Sequence, residues 1–236
     1  LETGHILITG ANRGIGLELA RQYSAEGWQV FACCRSPENA TGLSQLAAKS
    51  EGGVQIIPLD VSREGAIQGL ARSLLGQPID ILFNNAAVYG PASQARLGST
   101  QSDSEAWMHV FAVNTIAPLQ LVEALKPNLL LGKHKVLALM SSKMASLSDN
   151  TSGGAIIYRS SKAALNAVGK SLAADLAVEG IKVALLHPGW VQTDMGGPNA
   201  LIGAQESVAG LRNILDQLTP EKSGQFFNYD GTVLPW

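Results

Sequence analysis

The chain has 236 residues, 15% of them charged, and a formal net charge of -2. That length suits one domain with a sizeable buried core, and no linker-like stretch divides it, so residues 1–236 are read as a single domain. A near-neutral balance without a Lys/Arg cluster gives nucleic acid and anionic membranes no electrostatic footprint. No apolar run is long enough to cross a bilayer and no signal-type segment is recognisable, so a cytoplasmic protein is expected.

Short apolar, β-branched runs recur at residues 6–9, 29–33, 54–59, 79–83, 136–140, 182–186 and 225–229, with helix-length amphipathic stretches between them. Strands apolar on both faces, alternating with helices, predict an α/β, doubly wound Rossmann fold: a central parallel sheet of about seven strands covered on both sides. Immediately after the first strand comes Thr9-Gly10-Ala11-Asn12-Arg13-Gly14-Ile15-Gly16, and a helix follows. Glycines there let the backbone approach a pyrophosphate, and the helix N-terminus supplies free N–H groups, so the turn is a candidate dinucleotide-phosphate site.

The second strand runs into Cys33-Cys34-Arg35. Adjacent cysteines in a buried strand have no zinc or redox spacing and read as structural thiols. An NAD-specific domain usually places a carboxylate at this strand end for the ribose 2′-OH. Here Arg35 stands instead, with Arg13 in the glycine turn, and two cations suit a 2′-phosphate, so NADP(H) is expected over NAD(H); the alternative is two solvated arginines. Asp60-Val61, ending the third strand, borders the adenine edge on this reading, and Asp60 is equally an N-cap for a helix starting near Ser62.

Asn114 is followed four residues later by Pro118. Proline has no N–H for the i−4 carbonyl, so the Asn114 carbonyl is expected free, the helix bent, and a water held there. Ser141 and Ser142 end the fifth strand. A helix expected over 155–178 carries Tyr158 and Lys162, one turn apart on one face. A nearby ammonium favours a phenolate and is expected to lower the tyrosine pKa. The Ala-rich remainder of that helix packs either on the sheet or on a symmetry mate. His5, His109 and His134 share no ligand spacing, so no metal is expected.

Taken in order, Thr9–Gly16, Asp60, Asn84-Asn85-Ala86, Asn114, Ser142, Tyr158-x-x-x-Lys162 and Pro188-Gly189 resemble the short-chain dehydrogenase/reductase family over nearly the whole chain. Tyr158-Arg159-Ser160-Ser161-Lys162 and the ending Phe226-Phe227-Asn228-Tyr229-Asp230-Gly231 resemble its branch of C-factor- and sniffer-type carbonyl reductases. The resemblance implies hydride transfer between NADP(H) and a carbonyl or alcohol. In it Tyr158 is the acid/base, Ser142 hydrogen-bonds the reacting oxygen, Lys162 binds the nicotinamide ribose, and Asn114 anchors a relay water leading towards Lys162. It also places Asn84 and Ala86 near the adenosine ribose, and Pro188, Gly189, Val191 and Thr193 at the nicotinamide. The family more often has Gly where Ala87 stands, and the usual gap from serine to tyrosine is shorter, which assigns extra residues to a loop at 147–154.

Substrate choice is expected in segments 89–100, 143–157 and 195–204, whose lack of a carboxylate clamp favours a neutral, apolar or aromatic carbonyl. His187 reads as structural, and Phe226, Phe227 and Tyr229 as core residues of the last strand. A homodimer or homotetramer is expected from the low surface charge and the family. Rival readings are a cofactor-binding signalling or interaction protein, and an epimerase or dehydratase on the same fold.

Overall fold

A computed structural model describes residues 1–91 and 103–236. Among these, seven strands form one sheet: β1 (His5–Thr9), β2 (Gln29–Cys34), β3 (Val54–Pro58), β4 (Ile81–Asn84), β5 (Val136–Met140), β6 (Lys182–His187) and β7 (Gln225–Asn228). Their spatial order is β3-β2-β1-β4-β5-β6-β7, and every neighbouring pair is parallel. The helices are α1 (Gly14–Ala25), α2 (Thr41–Lys49), α3 (Ala66–Ser73), α4 (Ser104–Phe111), α5 (Ala117–Leu131), α6 (Ile156–Asp175) and α7 (Ala204–Asp216).

Strand periodicity divides the core into two layers. Ile6, Ile8, Ala138 and Met140 point to the face covered by Leu19 and Tyr23 of α1 and Val208 and Leu211 of α7. Leu7, Leu137 and Leu139 point to the other face, covered by Leu121 and Leu125 of α5 and Leu165 and Leu172 of α6. Each such Val, Leu, Ile or Met side chain contributes about 1.5–3 kcal/mol of transfer free energy. Cys33 and Cys34 fall on opposite faces, both buried as free thiols. Burial raises the pKa of each, so neither is a reactive thiolate.

The fourth strand begins later than the apolar run at 79–83 implies, because the Ile79 amide donates to the Asn128 carbonyl of α5 at 3.0 Å instead of joining the ladder. Between them Asp80 ties three strands at their starts. Its carboxylate accepts from the amides of His5 (2.8 Å), Lys133 (2.6 Å) and His134 (3.2 Å).

The run Ser104–Leu131 is long and apolar enough to span a bilayer by composition, yet Val110 is buried and Leu121, Leu125 and Leu129 are buried against the sheet, which makes it a core segment. It is not straight. A π-turn over Ala112–Ile116 separates α4 from α5, with the Ala117 amide reaching back to the Ala112 carbonyl, as expected where Pro118 withdraws an N–H. The sheet reverses direction of growth between β1 and β4, and the crevice beyond their carboxyl ends is where open α/β sheets bind ligands.

Candidate active site

The strand ends at this crevice are laced together. Thr9 Oγ1 accepts from the amides of Asn85 and Ala86, each at 3.0 Å, and Asn85 Nδ2 donates to the carbonyls of Thr9 (2.9 Å) and Gly10 (3.2 Å). A Cβ on Gly16 would lie 2.1 Å from the Gly10 carbonyl oxygen, so only hydrogen fits there. Gly10 has a φ of +68°, and Gly14 one of +52° with Thr193 Cγ2 3.1 Å from where its Cβ would be. α1 starts with no side-chain cap and no acidic residue in its first turn, leaving its N–H groups and positive dipole end for an anion. At the end of β4, buried Asn84 has both amide atoms without a hydrogen-bond partner among the described residues, a polar group suited to a bound ligand. The close turn, uncapped helix end and orphaned amide fit a dinucleotide.

Arg13 and Arg35 are both exposed. Arg13 is not merely solvated: Nη1 donates to Asp194 Oδ2 at 2.6 Å, joining the glycine turn to the segment after β6. Asp60 does not cap a helix near Ser62. Its Oδ1 accepts from the amide (3.0 Å) and hydroxyl (2.7 Å) of Ser62, closing a turn, and α3 starts only at Ala66 because Gly65 sits in the left-handed region. Burial alone would raise the Asp60 pKa, but the two Ser62 hydrogen bonds and nearby Arg35 hold it below its ordinary value. Val61 packs beside the second core layer.

α6 starts at Ile156 after Ala155 at φ +46°, and ends at Asp175, short of the expected 178 because Ala177–Glu179 tightens into a 3-10 turn. Leu165 and Leu172 enter the core, and a Cβ on Gly169 would lie 2.7 Å from Leu185 Cδ2, so this side of the helix packs on the sheet. Tyr158 and Lys162 are both buried. Tyr158 shares a hydrogen bond with the Ser142 hydroxyl, and Ser142 Oγ also accepts from the Met144 amide at 3.2 Å. Ser141 turns the other way, donating to Asn166 Oδ1 at 2.6 Å. Of the two serines, Ser142 is therefore the one beside the phenol.

The expected lowering of the tyrosine pKa is not found. Burial pushes Tyr158 up to about 12, with the Ser142 hydrogen bond opposing and Tyr89 adding to the rise. Lys162 Nζ lies 5.9 Å from the ring centroid and donates to the Met140 carbonyl at 2.7 Å, while burial pushes its pKa down to about 7. Desolvation outweighs the attraction at that separation.

Asn114 has a role beyond its main-chain carbonyl. Its side chain accepts from the Val88 amide and donates to the Val88 carbonyl, each at 2.9 Å, and donates to Ser161 Oγ at 3.0 Å. Ser161 Oγ in turn donates to the Tyr158 carbonyl at 2.8 Å. Neither Val88 nor Ser161 was legible as a site residue, since their parts depend on where the fold brings Asn114. Tyr89 lies with its ring centroid 4.7 Å from that of Tyr158.

After β6, burial and then Lys143 push His187 down to about 4, leaving it neutral and unsuited as a proton donor near neutral pH. The Pro188 carbonyl accepts from Ser207 Oγ at 2.6 Å. Gly189, at φ +82°, passes so close to Ile202 and Tyr229 that no side chain fits. Thr193 Oγ1 accepts from the Gly196 amide at 3.2 Å, while its methyl approaches Gly14. Phe226 and Phe227 are core residues. Of the expected substrate segment 89–100, residues 92–100 lie outside the described residues. Segment 143–157 contributes Met144, Leu147 and Ile156 to a cavity of about 530 Å3 that also involves Arg159, Ser160 and Ala163. Ile156, Ser160 and Ala163 lie on the helix face turned away from Tyr158 and Lys162.

This fold and crevice define a dinucleotide-binding oxidoreductase. The chain belongs to the short chain dehydrogenase family, whose model matches residues 4–200. It is 44% identical to the C-signal of Myxococcus xanthus over 170 residues, 72% of this chain and all of that protein. Among solved structures it resembles the carbonyl reductase Sniffer of D. melanogaster (TM-score 0.91, 35% identity) and an NADPH-bound carbonyl reductase from chicken fatty liver (TM-score 0.91, 34% identity), both chains fully covered in each comparison.

Proposed function

We propose that this protein is an NADP(H)-dependent carbonyl reductase in which Tyr158 gives its proton to the carbonyl oxygen. The observation that carries this reading is the buried Tyr158 hydroxyl paired with Ser142 and one helical turn from Lys162. On this reading Gly10, Asn12, Arg13, Gly14, Ile15 and Gly16 hold the pyrophosphate, and Arg13 and Arg35 hold the 2′-phosphate. Asp60 and Val61 border the adenine, Asn84 and Ala86 the adenosine ribose, Lys162 the nicotinamide ribose, and Pro188, Gly189, Val191 and Thr193 the nicotinamide. The bound nicotinamide supplies the hydride.

The chain's own residues manage the proton. A phenol with a pKa near 12 is protonated at neutral pH, the form in which Tyr158 can donate to the carbonyl oxygen. Ser142 shares the developing oxyanion, and a protonated Lys162 stabilises the phenolate left behind. Asn114, relieved of one N–H partner by Pro118, holds a water that returns the proton through Lys162.

The NADPH-bound chicken reductase supports the cofactor, and Arg35 with Arg13 supports the preference over NADH. The experiment is NADPH oxidation against a panel of aldehydes and ketones by the parent and Tyr158→Phe. The variant is expected to lose at least a hundredfold in kcat; parental turnover would overturn the assignment. The similarity to C-signal favours a second reading, a cofactor-binding signalling protein, which the same panel supports if the parent turns over no carbonyl while binding NADPH. Assembly as a homodimer or homotetramer is proposed with the enzyme reading, and light scattering of the purified protein measures it.

A further inference from the structure

The segment that follows β4 does more than border the cofactor crevice. It carries a second phenol to the first: the Tyr89 ring lies 4.7 Å from that of Tyr158, centroid to centroid, with the planes 32° apart. An aromatic pair at that separation and tilt is in the attractive range for offset packing. The placement is anchored on both sides by one residue. Asn114 grips the amide and carbonyl of Val88, the residue before Tyr89, and reaches Ser161 Oγ, which is bonded to the Tyr158 carbonyl. One buried amide thus sets the backbone of both rings. Tyr89 itself is 38% exposed and Tyr158 7%, so the ring pair runs from the surface inwards.

We propose that Tyr89 is the positioning residue of the reaction: its ring fixes the plane of the Tyr158 phenol and keeps water from it, so that the hydroxyl stays protonated and aimed at the substrate carbonyl. This rests on the reading of Tyr158 as proton donor. Among the described residues, the groups set against Tyr158 are Ser142 from the end of β5, Tyr89 from beyond β4, and Lys162 from its own helix. Removing the Tyr89 ring admits water, eases desolvation and removes a neighbouring ionisable phenol, all of which lower the Tyr158 pKa. Replacing only its hydroxyl leaves the ring and its shielding in place.

The test compares the parent, Tyr89→Ala, Tyr89→Phe and Tyr158→Phe in NADPH-driven reduction of 4-nitrobenzaldehyde, with kcat measured across alkaline pH. Tyr89→Ala is expected to lose about three- to tenfold in kcat, the range one aromatic contact supplies, and to lose activity at lower pH than the parent as its Tyr158 ionises earlier. Tyr89→Phe is expected to restore kcat to within about twofold and to place its alkaline limb between those of Tyr89→Ala and the parent, because it keeps the ring and loses only the ionisable hydroxyl. Unchanged NADPH affinity and thermal midpoint in Tyr89→Ala show that the fold is intact; should that variant be unstable, Tyr89→Leu fills the space without a ring and takes its place. A parental kcat and alkaline limb in the ring-free variant, with Tyr158→Phe inactive, would overturn the positioning role alone. An active Tyr158→Phe would overturn the proton-donor reading and this proposal with it.

Discussion

Lys162 is a liability to the fold that the reaction requires. Its amine is fully buried, and the hydrogen bond to the Met140 carbonyl does not offset the loss of water, so the folded pKa falls from 10.5 to about 7. Below pH 7 the folded lysine is charged and the full desolvation cost is present. Between about 7 and 10 the unfolded chain binds the extra proton and the folded one does not, so this residue makes stability rise with pH. Above 10 the raised Tyr158 pKa acts in the opposite sense, because the unfolded phenol ionises first. Lys162→Met is therefore expected to stabilise the cofactor-free protein at pH 7 by on the order of a few kcal/mol, read as a higher melting temperature. It should also flatten the rise between pH 7 and 10; thermal melts that keep the parental slope would count against a depressed lysine. The tyrosine–lysine spacing was plain in the sequence, whereas the sign of the tyrosine shift was not, since spacing says nothing of how completely the surrounding residues exclude water.

At the scale of elements, the strand–turn–helix unit around Gly16 is the least forgiving part of the crevice. A methyl at Gly16 meets the backbone oxygen of Gly10, which cannot move without displacing the Thr9–Asn85 lacing. Gly16→Ala is expected to cost more than about 3 kcal/mol and to abolish NADPH binding. Gly14→Ala, facing only the tip of Thr193, should cost about 1 kcal/mol through its positive φ. Equal urea midpoints for the two variants would contradict this ranking. The glycine turn was readable because its spacing and its place after a strand are both local. The start of α3 was not, because Asp60 and Ser62 form a cap-like turn without a helix behind it and Gly65 decides where the helix begins. Tyr89 could be placed only in a substrate segment; its contact with Tyr158 depends on how Asn114, in a π-turn of a helix elsewhere in the chain, draws β4 and α6 together.

For the whole molecule, strands apolar on both faces made a parallel sheet covered on two sides legible. The tie that Asp80 makes between the starts of β1, β4 and β5 was not, for it joins backbone groups more than fifty residues apart in sequence. Since the dinucleotide crevice is shared by strands across the sheet, cofactor binding should stabilise the domain as a unit. NADPH at a hundredfold excess over its Kd adds about 2.7 kcal/mol, or roughly 5–10 °C in melting temperature for a domain of this size. NADH at the same concentration is expected to give a smaller shift, and Arg35→Ala to bring the two shifts together. Equal shifts in the parent would remove the proposed 2′-phosphate preference.

A crystal structure with NADPH bound would test Tyr158 as proton donor at the site itself. The Tyr158 hydroxyl and Ser142 Oγ are expected to converge beside the reactive carbon of the nicotinamide, with Lys162 Nζ released from the Met140 carbonyl to the nicotinamide ribose. A Tyr158 hydroxyl directed away from the ring, with Lys162 still on Met140, would contradict it.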